Sequence, residues 1–161
     1  MSAKVRTCLW FERDGMAAAR FYVSLLPDSR IEQVAGFEDP TTGDPQGVML
    51  IDFTLAGAPY QILAAGPHQA HNDMASILVL TDDQAETDRL WTALTADGGQ
   101  PVQCGWLEDR WGIAWQIVPR ALGALMSQGD AAAAGRVQAA MLAMQKLDIA
   151  ALEAAHRGDE G

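Results

Sequence analysis

Cysteine, basic residues and long apolar runs are all scarce in this sequence. Its two cysteines lie far apart and outside any Cys-x-x-Cys spacing, so we predict reduced thiols, with a single disulfide as the alternative. The eleven Lys and Arg residues are scattered, and a formal net charge of −10 argues against nucleic-acid or anionic-membrane partners. No stretch approaches the ~18 apolar residues of a membrane span, and the N-terminus lacks an apolar region of signal length. These absences predict a cytoplasmic protein.

What the sequence does contain is typical of a folded globular chain. Its 161 residues are 49% hydrophobic and 20% charged, enough to build one compact domain with its own core. Alternating patterns predict strands at 4–11, 30–37, 48–55 and 60–65. Asp14 is the predicted N-cap of a helix over 15–26, and residues 38–47 have the composition of a turn. The first 65 residues therefore predict a β-α-β-β-β order.

A similar order follows in the next segment. Residues 75–82 predict a strand and 83–99 an amphipathic helix that ends in two glycines. A second hairpin is predicted over 100–119, with one strand short or irregular. A constant offset places Gly57 on Gly112 and Gln61 on Gln116, while the helices align at a different offset. The sequence therefore predicts a duplicated module with loops of unequal length.

Beyond Pro119 the composition shifts to Ala, Met and Leu. Residues 131–147 place apolar side chains along one helical face, and Asp148 can cap a last short helix. These helices are predicted to pack on the sheets or on a second subunit; a methionine surface for a partner is the alternative. The predicted organisation is one compact domain with a first module at 1–68, a second at 69–119 and a helical segment at 120–161.

Four stretches resemble a known group of proteins: "CLWFERDGMAAARFYVSLLPDSRI", "FTLAGAPYQILAAGP", "CGWLEDRWGIAWQIVP" and "MLAMQKLDIAALEAA". They are similar to the vicinal oxygen chelate superfamily (the glyoxalase/bleomycin-resistance fold), in its PhnB-like branch, which is often labelled a 3-demethylubiquinone-9 3-methyltransferase domain. The resemblance spans nearly the whole chain. It implies an α+β fold of paired βαβββ modules whose curled mixed sheets surround a cleft, with C-terminal helices, in a homodimer.

The resemblance also implies where a metal would bind. Metal-dependent relatives place four ligands, typically His or Glu, on the first and last strands of each module. The matching positions here are Cys8 (or Thr7), Gln61, Ser76 and Gln116. Because amides and hydroxyls poorly replace imidazole and carboxylate donors, we predict no cofactor and no bound metal.

The candidate ligand-binding cleft consists of those four positions and two tryptophans, Trp10 and Trp106. Trp10 shares a strand face with Cys8, whereas Trp106 flanks the second hairpin and could line the cleft or a dimer contact. Gln61 and Gln116 are either cleft residues or buried amides with internal partners. No catalytic residue is predicted, because Cys8 has no histidine near it in the sequence.

Other polar and aromatic residues have simpler interpretations. Trp91 and Trp115 are predicted to lie in the core, and Asp109 and Arg110 to form a local charge pair of little energetic value. The remaining candidates, His68 and His71, are spaced as in a metal site. Without nearby cysteine or carboxylate clusters we interpret them as exposed linker residues, with a site role as the alternative.

These observations predict a small-molecule-binding protein whose cleft holds amides instead of the usual His/Glu metal site. An enzyme of the same fold is the alternative, as a metal-dependent or metal-free lyase, isomerase or dioxygenase. Methyl transfer is the least favoured, because no Gly-rich loop follows the first strand of a βαβ unit.

Overall fold

The computed structural model of the chain describes residues 3–44 and 47–159. The chain divides into two compact units, Met1–Gln69 and Ala70–Gly161. Each unit contains one open four-stranded mixed sheet, and the second unit also carries the C-terminal helices. The predicted α+β fold of paired βαβββ modules is therefore confirmed.

Unit 1 has the predicted order of elements. Its strands and helix are β1 Thr7–Phe11, α1 Gly15–Leu25, β2 Arg30–Phe37, β3 Val48–Leu55 and β4 Ala58–Ala64. The sheet order is β1-β4-β3-β2, with β1 parallel to β4 and the other neighbours antiparallel. The turn between β2 and β3 lies at 38–47 as predicted, although Pro45 and Gln46 fall outside the described residues.

Helix α1 covers one face of this sheet. Its small and aromatic side chains recur at helical spacing and are buried against β3 and β4, with the Tyr22 and Phe53 rings 6.3 Å apart. Gly15 lets the helix start close to the strands, since an added Cβ would lie 2.8 Å from Cγ2 of Ile62. The alternate residues of each strand consequently face away from α1.

The predicted N-cap position of Asp14 is confirmed, but the side chain does not supply the cap. Asp14 does occupy the N-cap position, but its backbone is left-handed (φ 58) and its side chain makes no capping hydrogen bond. Its carbonyl accepts the amide of Ala18 at 2.9 Å, so the helix begins there without the side chain. By contrast, the extended N-cap Asp148 accepts the amide of Ala151, as predicted.

Unit 2 repeats the strand order of unit 1. Its elements are β5 Ile77–Thr81, α2 Gln84–Thr95, β6 Gln100–Pro101, β7 Trp106–Glu108 and β8 Ala114–Pro119. The sheet order is β5-β8-β7-β6, and β5 runs parallel to β8 as β1 does to β4. The two-residue β6 is the short strand that the sequence predicted. The shared topology and pairing confirm the duplication.

Different side-chain hydrogen bonds stabilise the turns of the two hairpins. In unit 1, Ala56 and Gly57 have positive φ, and the Ala56 amide donates to Oγ of Ser29 at 2.8 Å. In unit 2, the longer turn contains Asp109, which is 3% exposed. Its Oδ1 accepts the amides of Trp111 (2.9 Å) and Ile113 (3.1 Å), and its Oδ2 accepts Nε1 of the fully buried Trp115 at 2.9 Å.

The side chain beside this buried carboxylate also has a defined partner. Nη1 of Arg110 lies 2.7 Å from Oδ2 of Asp97, and its guanidinium carbon lies 5.3 Å from the centre of the Trp111 ring. Among the predicted core tryptophans, Trp115 is fully buried, whereas Trp91 is only half-buried. Asp109 therefore has a structural role in the hairpin that the sequence analysis did not foresee.

Three helices complete unit 2: α3 Arg120–Ser127, α4 Ala131–Leu142 and α5 Ile149–Arg157. Helix α3 lies within the predicted helical segment at 120–161, but its bounds were not predicted; it follows Pro119 directly and its N-cap makes no side-chain hydrogen bond. The helix predicted over 131–147 ends at Leu142, and in the segment that follows it the carbonyls of Met144 and Gln145 accept the amides of Cys104 and Gly105. The apolar face still forms a core of Val137, Leu147 and Leu152, flanked by Met141 and Met144.

The helical segment is also linked to α2. The Gln84 side chain donates to the carbonyl of Leu147 and accepts the amide of Ile149, and Lys146 forms an ion pair with Asp88. Within residues 3–44 and 47–159, none of the helices combines the length and apolar character required to span a membrane.

Candidate functional site

The central feature of unit 1 is a polar row on the sheet face opposite α1. Strand pairing places Cys8 beside Gln61 and Gln61 beside Asp52, so the three side chains share this face. Nε2 of Gln61 donates to Oδ1 of Asp52 at 2.7 Å, and Nη1 of Arg6 lies 2.7 Å from Oδ2. Because the Arg6 and Asp52 side chains are only 21% and 25% exposed, the pair is partly shielded from water.

A second charged pair extends this row towards one end of the sheet. Nη2 of Arg30 lies 2.7 Å from Oε1 of Glu32, and the Thr54 hydroxyl donates to the same oxygen at 2.6 Å. Both ion pairs line a cavity of about 490 Å³ within unit 1. Its walls thus present guanidinium donors and carboxylate acceptors to the same volume.

Cys8 adjoins the polar row but is a poor nucleophile at neutral pH. Although the residue is exposed, desolvation of its thiol raises the pKa above the ordinary 9.0, and the nearby charge of Asp52 raises it further. A hydrogen bond with the main chain of Leu63 opposes this shift only in part. Since the thiolate is the reactive form, this environment disfavours covalent chemistry at Cys8.

Trp10 lies further along the same face of β1. Its Nε1 donates to the carbonyl of Gly66 at 2.9 Å, and its ring centre lies 4.5 Å from that of His68. This contact fixes the position of one linker histidine, which remains exposed as predicted. The sequence analysis did not foresee the pairing, because no local spacing connects β1 to the segment after β4.

Unit 2 places the other two candidate ligand positions together. Nε2 of Gln116 donates to Oγ of Ser76 at 2.8 Å, and Gln116 is half-buried between Leu78 and Trp106 in the strand register. Leu78 and Leu80, on the same face of β5, are 53% and 44% exposed. This row is thus apolar apart from one neutral hydrogen bond.

In unit 1, the strand register therefore places Cys8 beside Gln61. In unit 2, the Gln116 side chain donates a hydrogen bond to Ser76. Two residues of the unit 1 row, Arg6 and Asp52, were not among the sequence candidates. Asp52 did leave a signal, because it is the only charged residue in the strand "VMLIDFTL" and alternates with the apolar residues that face α1. Which carboxylate oxygen meets which donor could not be read from that pattern.

The donor set does not fit a divalent metal. The four carried-over positions hold one thiol, two amides and one hydroxyl, whereas such ions favour imidazole and carboxylate ligands. The single neighbouring carboxylate, Asp52, uses one oxygen for Gln61 and the other for the guanidinium of Arg6. Across residues 3–44 and 47–159, no group of three or more His, Cys, Asp or Glu side chains could hold a metal ion.

The paired βαβββ topology defines the class: this is a vicinal oxygen chelate fold. Known structures share it. The PhnB protein from Bacillus cereus is 25% identical with a TM-score of 0.65, over 73% of this chain and 99% of that one. FosX, a fosfomycin resistance protein from Listeria monocytogenes, is 14% identical with a TM-score of 0.55, over 80% and 99% respectively. One FosX structure contains Mn(II) and sulfate.

The family follows from the sequence match. The model of the 3-demethylubiquinone-9 3-methyltransferase family matches residues 3–118, and the chain belongs to this family. Among curated proteins, none is significantly similar in sequence to this chain. The predicted resemblance to the PhnB-like branch is therefore confirmed.

Proposed function

We propose that the chain is a small-molecule-binding protein that takes a polar ligand on the face of unit 1 opposite α1. The observation that carries this proposal is the row of Arg6, Asp52 and Gln61, linked by two 2.7 Å contacts. Charge-assisted hydrogen bonds of this kind hold their side chains in fixed orientations. A fixed set of donors and acceptors beside a cavity is what a polar small molecule requires.

The composition of the cavity wall favours a ligand that both accepts and donates hydrogen bonds. Arg6 and Arg30 retain guanidinium N–H groups beyond those in their ion pairs, and these suit a carboxylate, phosphate-type or carbonyl oxygen. Glu32 and Asp52 can accept a hydroxyl or amine from the same molecule. Compounds with both kinds of group, such as hydroxy acids, are therefore the favoured class.

Two enzymatic alternatives have less support. Manganese-dependent chemistry of the kind suggested by the FosX structure would need ligands that Cys8, Gln61, Ser76 and Gln116 do not supply. Methyl transfer, the activity in the family's description, would normally use a doubly wound sheet with a Gly-rich loop. In the described residues, parallel pairing is limited to one strand pair in each sheet.

We also propose that the chain forms a homodimer, as the fold resemblance implies, and that it is cytoplasmic. The exposed Leu78 and Leu80 on β5 support an association of two copies through an apolar surface. Light scattering coupled to size exclusion would give twice the chain mass of 17.3 kDa for a dimer. Elution at the mass of a single chain at micromolar concentration would contradict this part of the proposal.

The binding proposal is tested with a fragment library of hydroxy acids and amino acids. Saturation-transfer NMR would compare the wild type with Gln61→Leu, using Gln100→Leu, which alters an exposed glutamine of unit 2, as the control. We expect fragments that bind the wild type and the control but not Gln61→Leu. Retention of all fragments by Gln61→Leu would contradict the proposal, and selective loss in Gln116→Leu would move the site to unit 2.

Elemental analysis separates this proposal from the metal-dependent alternative. The protein would be incubated with Mn, Fe, Ni or Zn salts and desalted before measurement. We expect retention far below one metal per chain, because the two carboxylates of this region, Asp52 and Glu32, are each already paired with an arginine. Near-stoichiometric retention that disappears in Gln61→Leu or Asp52→Asn would favour the enzyme.

A further inference from the structure

Unit 2 contains a separate cavity of about 310 Å³ at the start of β7. A tight turn builds it: the Val102 amide donates to the carbonyl of Trp106 at 2.8 Å, and the Trp106 amide donates to the carbonyl of Gln103 at 3.0 Å. Inside this turn Cys104 and Gly105 both have positive φ (59 and 83). The turn thereby sets the half-buried Trp106 indole at the wall of the cavity.

The accessible apolar surface of this cavity comes from Val102, which is 45% exposed, and from the half-buried Trp106. Leu107 and Ala114 also line it but are only 1% and 2% exposed, so they back the wall from the core side. A cavity of this size, with aromatic and aliphatic walls, is within the range that encloses a small organic molecule. The apolar part of a ligand would therefore be removed from water here.

The polar groups at the rim are acidic. Asp73 and Glu108 line the cavity, both are exposed, and neither forms an ion pair with any described residue. None of the described lining residues is Lys or Arg. With a net charge of −10 for the whole chain, this rim attracts cations and repels anions.

We infer that this cavity binds a small organic cation, an amine or quaternary ammonium that carries an aromatic or alkyl body. The body would contact Val102, the positive group would lie against the Trp106 ring, and Asp73 and Glu108 would supply the counter-charge. An ammonium over a tryptophan face is the strongest cation–π pairing among aromatic side chains. The site shares no residue with the polar row of unit 1, so its test is independent of the proposed function.

The probe is benzyltrimethylammonium, with benzyl alcohol and benzoate as neutral and anionic compounds with the same ring. Titration of 15N-labelled protein would follow the backbone amides of 102–108 and the indole N–H of Trp106. We expect saturable shifts confined to these residues, and binding about tenfold weaker for benzyl alcohol. Equal or tighter binding of benzoate, or shifts that do not saturate or lie elsewhere, would overturn the inference.

Single substitutions separate the contribution of the Trp106 ring from that of the acidic rim. Trp106→Ala should weaken the cation by about tenfold, whereas Trp106→Phe, which keeps a ring, should lose less. Glu108→Gln should weaken it severalfold and reduce its dependence on ionic strength. Trp111→Ala and Glu38→Gln, which alter residues that do not line this cavity, are the matched controls. Unchanged affinity in both Trp106→Ala and Glu108→Gln, with native spectra, would refute the assignment.

Discussion

The two sheets share one topology but differ in chemistry along corresponding rows. In unit 1 the row contains Cys8, Gln61 and Asp52, with Arg6 paired to the carboxylate. In unit 2 the register aligns Leu78, Gln116 and Trp106, and Gln116 donates a hydrogen bond to the Ser76 hydroxyl. A glutamine thus stands at the same place on both last strands, in an ionic setting in one unit and a neutral one in the other.

The two units therefore share their strand order and pairing but not the residues of these rows. The strand order and parallel pairing recur because they depend on patterns of buried residues, which many sequences satisfy. The exposed face of each sheet carries no such constraint, so its residues can diverge. Charge therefore concentrates on the unit 1 face, while the unit 2 face presents leucines and a tryptophan.

The largest expected difference in stability between the two units comes from their hairpin turns. Asp109→Ala should lower the free energy of unfolding by about 3 kcal/mol, because it leaves the Trp115 indole and two amides without their acceptor. Ser29→Ala, which removes the corresponding support of the unit 1 turn, should cost about 1 kcal/mol or less, since Ser29 is half-exposed. Urea unfolding of both variants checks this; equal losses would contradict it.

The corresponding rows of the two units should differ less in their contribution to stability than the hairpins do. Asp52→Ala removes the acceptor of both Arg6 and Gln61 and should destabilise the protein by about 1–2 kcal/mol. Ser76→Ala removes one neutral hydrogen bond of Gln116 and should cost less than about 1 kcal/mol. The same unfolding measurement applies, and a larger loss for Ser76→Ala would reverse the comparison.

The reactivity of the Cys8 thiol reports on the environment of the polar row in unit 1. In a Cys104→Ser background, the rate of Cys8 alkylation should rise with a midpoint above pH 9.0, because desolvation and the Asp52 charge raise its pKa. Asp52→Asn should lower that midpoint. The same shift makes the stability depend on pH. As the pH rises, the thiol ionises in the unfolded protein before it ionises in the folded protein, so the free energy of unfolding falls as the pH rises past 9.0. A midpoint near neutral pH would refute the described environment.

The smallest expected effect concerns the link between α2 and the C-terminal segment. Hydrogen bonds from Lys146 and then Gln84 hold the pKa of Asp88 below its ordinary 3.8. This contribution to stability is present above that value and is lost as the pH falls through the lowered pKa. Lys146→Met should move the Asp88 titration upward by carboxyl NMR, with Lys4→Met as the control. An unchanged midpoint would show that the pair does not form in solution.

Much of the fold was predictable because its signals are local. The bounds of β2 and β3 agree with the alternation of apolar residues, and Asp148 caps α5 as its position before an apolar helix indicated. The hydrogen bonds from Cys104 and Gly105 to the segment after α4 were not predictable, since the partners lie far apart in the sequence. Local periodicity contains no information about such distant partners.

The candidate site was only half predictable, for the same reason. The family pattern pointed to Gln61 and Gln116, and strand alternation placed Cys8 and Trp10 on one face. Asp52 was missed because its importance depends on cross-strand register, which brings β3 beside β4 and Arg6 within reach. The alternation within one strand shows which of its residues share a face, but it does not show which residue of the neighbouring strand lies opposite each of them.

The hydrogen bonds from Cys104 and Gly105 to Met144 and Gln145 have one further consequence. The short β6 pairs with only the last two residues of β7, and the segment after α4 satisfies the backbone amides just before that strand. A protein cut after Pro119 would leave the amides of Cys104 and Gly105 without these acceptors, and the turn before β7 would lose two of the hydrogen bonds that fix its left-handed backbone. The segment after α4 thus holds this turn in place, although it lies beyond residues 3–118, which match the family model.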